Sequence, residues 1–179
     1  MLQDLRRSAV AVVVLTVLLG VLYPLAVTGI AQPLFGAKAD GDARLVAHAP
    51  SSAPGLFQPR PSATDFSATA TSFSNAGPNG EDTAEAIKAN AEAYAAREGI
   101  AVRDVPNDAA QTSASGIDPD ISPANARIQA RRVARERGLP ADRVLDVVAA
   151  VRRGRLLGVV GEPTVNVNDL NDRIEELTR

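Results

Sequence analysis

The stretch Ser8-Ala-Val-Ala-Val-Val-Val-Leu-Thr-Val-Leu-Leu-Gly-Val-Leu-Tyr-Pro-Leu-Ala-Val-Thr-Gly-Ile-Ala31 carries no charge, and its reading decides the architecture. A helix needs ~20 apolar residues to cross a hydrocarbon layer ~30 Å thick, and residues 8–31 exceed that. Arg6 and Arg7 stand directly before the run, whereas Lys38 and Arg44 follow at a distance, interleaved with Asp40 and Asp42. Basic residues favour the cytoplasmic side of a span. Residues 1–7 are therefore expected in the cytoplasm, 8–31 in the bilayer and 32–179 outside. The rival reading is a signal peptide cleaved near Gly29-Ile-Ala31, but the apolar region of such a peptide runs to only ~7–15 residues. Gly20, Tyr23, Pro24, Thr28 and Gly29 interrupt the aliphatic run. Small residues let another helix approach, and Pro24 removes a backbone donor. An anchor alone needs none of this, so docking against another membrane subunit is expected. The plainer alternative makes Tyr23 an interfacial aromatic and Pro24 a tolerated kink.

Beyond the span, the composition limits both core and chemistry. With four Phe, two Tyr and no Trp, the core must come from Val, Leu, Ile and Ala. The net charge of −2, with both signs interspersed, gives no basic face for nucleic acid. The absence of cysteine removes disulfides and thiolate metal sites.

Residues 32–79 are rich in Pro, Ser, Ala and Gly and read as loop, with a short strand expected over 44–47. Glu81–Glu98 reads as a helix: acids crowd its first turn, Ile87, Ala91, Tyr94 and Ala95 form a stripe, and Gly99 stops it. Residues 100–102 are expected to form a strand. Ser122-Pro123 is an N-cap followed by a helix-opening proline, with Gly138 at the far end. Pro140 opens another helix bearing Val144, Leu145, Val148 and Val151, expected to end at Gly154. The apolar run 156–160 suits a short buried strand. Asn166 or Asn168 caps a last helix carrying Leu170, Ile174 and Leu177. Helices and short strands without a βαβ rhythm predict an α+β domain, extracytoplasmic and attached to one N-terminal transmembrane helix.

Catalytic motifs are wanting. No glycine-rich phosphate loop is present. Ser113-Ala-Ser-Gly116 lacks the leading glycine of a nucleophile elbow, and the one histidine, His48, falls in loop-like sequence. Asp118-Pro-Asp120 pairs two carboxylates, too few oxygens for calcium. These acids read instead as an Asx turn stiffened by Pro119, near the positive end of the following helix. Arg127, Arg131, Arg132, Arg135 and Arg137 give that helix a basic side, read as a solvated face or a surface for an acidic partner or lipid headgroups. By its own motifs the chain is not an enzyme. A membrane-anchored or secreted binding module unrelated to transport is the alternative class.

Several segments, in order, resemble the KdpC family, accessory subunits of the Kdp potassium-transporting ATPase. They are Tyr23-Pro-Leu-Ala-Val-Thr-Gly-Ile-Ala-Gln32, Arg60-Pro-Ser-Ala63, Ser74-Asn-Ala-Gly-Pro78, Ser113-Ala-Ser-Gly-Ile-Asp-Pro-Asp-Ile-Ser-Pro123 and Gly161-Glu-Pro-Thr-Val-Asn-Val167 with Leu170-Asn171. The sequence departs from the family pattern at Ala76, Ala110-Gln111 and Asp120. The resemblance implies a complex with the potassium-channel-like subunit KdpA, the ATP-hydrolysing subunit KdpB and the small subunit KdpF. ATP and potassium are then used by the complex, with no cofactor bound by this chain. It also implies a role in stabilising the assembly and, as a catalytic chaperone, in raising the ATP affinity of KdpB. The family-like segments nominate Ser115, Gly116, Asp118, Pro119, Ser122, Pro123, Asn166 and Asn171 as partner contacts, beside Gly20, Tyr23, Pro24, Thr28 and Gly29 in the span.

Overall fold

The computed structural model describes the chain apart from residues 40–42, 73–74, 78 and 179. Asp40, Asp42, Ser74 and Pro78, used above, lie outside the described residues. The chain divides into two compact units, Met1–Ala43 and Arg44–Arg179.

The first unit is built on helix α1 (Leu2–Val17), a π-helical turn (Leu18–Leu22) and helix α2 (Tyr23–Ala39). Leu2–Gly36 is one helix long and apolar enough to cross a membrane, at 35 residues; at 1.5 Å per residue it spans about 50 Å. The helical run is thus longer than the uncharged stretch 8–31, extending over Arg6 and Arg7 at one end. The π turn has a cause in the sequence. A proline ring clashes with the carbonyl four residues back and offers no N–H, and Pro24 opens α2 just after the turn. One widened turn, with the N–H of Tyr23 donating to the Leu18 carbonyl, absorbs the misfit. Pro33 lies inside α2, and Gly36 leaves helical geometry at φ +34°.

The second unit is α+β, with helices α3 (Glu81–Glu98), α4 (Asn107–Ala110), α5 (Pro123–Arg137), α6 (Ala141–Val151) and α7 (Val167–Leu177). Its two strands, β1 (Asp120–Ile121) and β2 (Val165–Asn166), pair antiparallel with Ile121 opposite Val165. Ala126, Ala130 and Ala134 recur every fourth residue on α5 and are buried. Their small side chains let α6 pack close, where Val144 and Val148 meet Val133, Leu170 and Ile174 in one core. Burying each such branched side chain contributes roughly 1.5–3 kcal/mol. At the ends of α3 and α5 the punctuation falls where expected. Gly99 and Gly138 close α3 and α5 in the left-handed conformation. In both cases the next residue, Ile100 or Leu139, donates back to the carbonyl of Ala95 or Ala134, a pattern that closes helix ends.

Three expected strands are absent, and a fourth expectation also needs correcting. At 44–47 the backbone forms a 3-10 turn (Ala43–Leu45) instead of a strand. Its carbonyls are taken by side chains, Asn166 Nδ2 on Arg44 at 2.9 Å and Asn168 Nδ2 on Val46 at 2.9 Å. Residues 100–102 make no strand, because the Ile100 N–H is spent closing α3 and Val102–Asp104 is a 3-10 turn. Residues 156–160 form the exposed tip of an excursion, described below. Helix α6 stops at Val151, three residues before Gly154, because Arg152 is already extended.

The loop-like segment before Arg60 is held by side chains of the helices in place of a neighbouring strand. Asn171 accepts from the Phe57 N–H at 2.8 Å and donates to its carbonyl at 3.0 Å. Gln129 clamps Gln58 the same way, at 2.8 and 3.0 Å. Arg132 donates to the carbonyls of Pro54 and Leu56, and Arg137 to that of Gly55. Buried backbone groups need partners, and α5 and α7 supply them over residues 54–58. Phe57, anchored this way, is buried in the core.

Candidate functional site

The Ser113–Asp120 turn joins α4 to β1 and is built around serine and aspartate side chains. The Ser113 hydroxyl accepts from the Asp118 N–H at 3.2 Å, and Ser115 from Ile117 at 3.2 Å. The Asp118 carboxylate accepts from the Asp120 N–H at 2.9 Å, the expected Asx turn. Its other oxygen receives Arg60 at 3.3 Å. Gly116 sits at φ +76°, and its carbonyl accepts from Ser62 Oγ at 2.7 Å. Pro119 is buried, with its carbonyl accepting from the Val167 N–H at 2.9 Å. Asp120 accepts from Thr164 Oγ1 at 3.0 Å through Oδ2.

Ser122 caps α5 through the Asn125 N–H, and Pro123 follows it. The acid at this helix start is one that sequence reading passed over. Asp108 accepts from the Ser122 N–H at 2.8 Å, the Ser122 hydroxyl at 2.7 Å and Asn125 Nδ2 at 3.0 Å. It lies 14 residues upstream on α4, outside any local capping pattern. Asn166 is buried, caps α7 and reaches back to Arg44. The structure thus brings Ser115, Gly116, Asp118, Pro119 and Ser122 together beside the β1–β2 pair, with their bonds made inside the domain. Asn171 does its work at Phe57.

Arg132 is not part of a solvated basic side. It is 5% exposed and its Nε donates to both oxygens of Glu98, at 3.1 and 3.0 Å. The outward stripe of α5 is Arg127, Arg131 and Arg135. Beside the Arg132–Glu98 pair, Tyr94 donates to Asn125 Oδ1 at 2.8 Å, under the Arg97 guanidinium. Burial, with Glu98 adding to it, pushes the Tyr94 hydroxyl well above the usual phenol range.

Residues 152–164 leave the end of α6 and return to β2 as a narrow excursion, bridged at Arg153–Thr164 and Leu156–Val160. At its tip Leu157 and Gly158 both have positive φ, 53° and 79°, the backbone of a tight hairpin turn. Leu156, Leu157 and Val159 are 68%, 88% and 76% exposed. Ion pairs flank this apolar tip, Arg155 with Glu162 at 2.9 Å and Arg153 with Asp169 at 3.0 Å. Asp169 also lines an open groove of about 760 Å³ between α6 and α7, floored by Val147, Ala150 and Val151.

His48 is exposed. No group of three or more metal-ligating His, Asp or Glu side chains is assembled among the described residues. In the membrane-length helix, Gly29 has open space where a side chain would be, and Gly20 meets only Thr16 Cγ2 at 4.0 Å. Tyr23 projects at the end of the π turn, beside Pro24.

Comparison with known proteins gives this arrangement its family. The model of KdpC, described as the K+-transporting ATPase c chain, matches residues 5–176. The chain belongs to the KdpC family. Its similarity to the KdpC subunit of the potassium-transporting ATPase of Caulobacter sp. (strain K31) is 44% identity, over 98% of this chain and 94% of the relative. It is 43% identical to the Kineococcus radiotolerans KdpC subunit, over 96% and 92% of the two chains. With the Myxococcus xanthus KdpC subunit it shares 47% identity over 92% and 82%. The KdpC match takes in the membrane-length helix and the α+β unit alike.

Proposed function

We propose that this chain is a non-catalytic accessory subunit of an ATP-driven, high-affinity potassium transporter. In that assembly it joins a potassium-channel-like subunit (KdpA), an ATP-hydrolysing subunit (KdpB) and a small KdpF subunit. The carrying observation is a KdpC match that runs through both units, helix and domain. Arg6 and Arg7 ahead of the apolar run favour a cytoplasmic N-terminus and a domain outside. A domain there meets no cytoplasmic ATP. Its effect on the ATP affinity of KdpB then passes through the membrane helices as a coupling free energy.

The span residues Gly20, Tyr23, Pro24, Thr28 and Gly29 serve this role as the stretch of helix that meets a partner. In the domain, the Ser115–Pro123 side chains, with Asn166 and Asn171, shape the surface more than they reach outward. The exposed tip at Leu156–Leu157–Val159, rimmed by paired charges, has the composition of an interface, apolar at the centre and polar at the edge. Deleting the chain from a cell that depends on the transporter is expected to abolish growth at limiting potassium and to leave the remaining subunits unstable on purification. Uptake at the wild-type rate without it would remove the proposal.

A further inference from the structure

We propose that the membrane helix carries an open backbone acceptor, the carbonyl of Leu19, which a hydrogen-bond donor on a helix of a partner subunit fills. The proposal rests on the subunit reading above and adds to it a single atom and its chemistry.

In the α- and π-helical geometry of this stretch the Leu19 carbonyl has two candidate donors, the N–H groups of residues 23 and 24. The first is committed elsewhere, because the Tyr23 N–H donates to Leu18. The second does not exist, because residue 24 is proline. Closing one widened turn around the proline therefore leaves one carbonyl without its backbone partner. Leu19 falls near the middle of the uncharged run 8–31, where no water is at hand to replace the lost donor.

The surroundings supply no substitute and leave an approach open. The side chains of Leu22 and Ala26, one and two turns on, carry no donor, and the Tyr23 hydroxyl stands at the far end of its ring. The adjacent residue is Gly20, beside which a Cβ would meet only Thr16 Cγ2 at 4.0 Å. A second helix can come close there. Lipid chains carry no donor, so the occupant is a neutral side-chain donor on a neighbouring helix: a hydroxyl, a carboxamide or an indole N–H. Pro24 and Gly20 then act together, one opening the acceptor and the other leaving it uncovered.

The test follows the carbonyl itself. Pairwise labelling of Leu carbonyl carbon with Gly nitrogen isolates two sites in this chain, Leu19-Gly20 and Leu157-Gly158. In the isolated full-length chain in micelles, the Leu19 carbonyl-carbon resonance is expected at the low-frequency position of an unbonded carbonyl. It should move to higher frequency in the assembled complex. Pro24→Ala supplies the missing N–H, so the isolated variant should already show the bonded position and should leave the solubilised complex about tenfold faster. Gly20→Leu, which covers the acceptor without filling it, should also speed loss. A wild-type resonance unchanged on assembly overturns the proposal, as does equal retention of wild type and Pro24→Ala. Faster loss of Pro24→Ala with no change in its isolated resonance also overturns it, since the proline would then act by shape. A wild-type chain that retains no partner overturns the subunit reading and this proposal with it.

Discussion

At Gly116 the backbone φ is +76°, and a Cβ would fall 2.1 Å from Thr64 Oγ1. Left-handed backbone and a close neighbour oppose any side chain there. Gly116→Ala is expected to destabilise the domain by about 1–3 kcal/mol, read as a lower urea midpoint with unchanged slope. Tyr94 tests burial differently. Its hydroxyl titrates above the ordinary phenol value because burial, and then Glu98, disfavour the phenolate. The folded state therefore holds this proton more tightly than the unfolded chain. The contribution of Tyr94 to stability is full below about pH 10 and falls as pH rises beyond it. Tyr94→Phe should flatten that alkaline decline, while losing about 1 kcal/mol at neutral pH with the Asn125 hydrogen bond; an unchanged alkaline slope would exclude Tyr94 as its source.

Elements differ in how far the sequence disclosed them, and the reason is the distance over which they are held. Helix α5 was legible because its signals are local: Ser122 and Pro123 at one end, Gly138 at the other. The same holds for α3 with Gly99 and for α7, whose cap the sequence narrows to Asn166 or Asn168 and the structure places at Asn166. The clamps on residues 54–58 were not legible, since Gln129 and Asn171 reach partners 71 and 114 residues away. Arg132 looked like one more surface cation for the same reason; its partner Glu98 lies 34 residues upstream. The run 156–160 misled in another way, because apolar composition alone does not separate a buried strand from an exposed tip. Positive φ at Leu157 decides against the strand, and a leucine there is held in a conformation that asparagine tolerates better. Leu157→Asn is expected to raise domain stability slightly, by up to about 1 kcal/mol, measured by thermal melting. A large loss would mean that the tip is buried within the domain.

For the whole molecule, the membrane-length helix was the most legible feature, and its role is where the structure adds most. Length and lack of charge mark an anchor. The π turn ahead of Pro24 makes it an anchor with an irregular face, at a place where an independent span would gain nothing from one. The domain's helices and β pair are held by internal amide and guanidinium clamps, leaving the hairpin tip and the α6–α7 groove facing outward. This division suits a subunit that works by contact in an assembly. The most direct test is to affinity-purify the full-length tagged chain from its own membranes in mild detergent and identify what accompanies it. A large channel-like subunit and a P-type ATPase subunit in constant ratio to the chain are the predicted result. Recovery of the intact chain with neither would contradict the account.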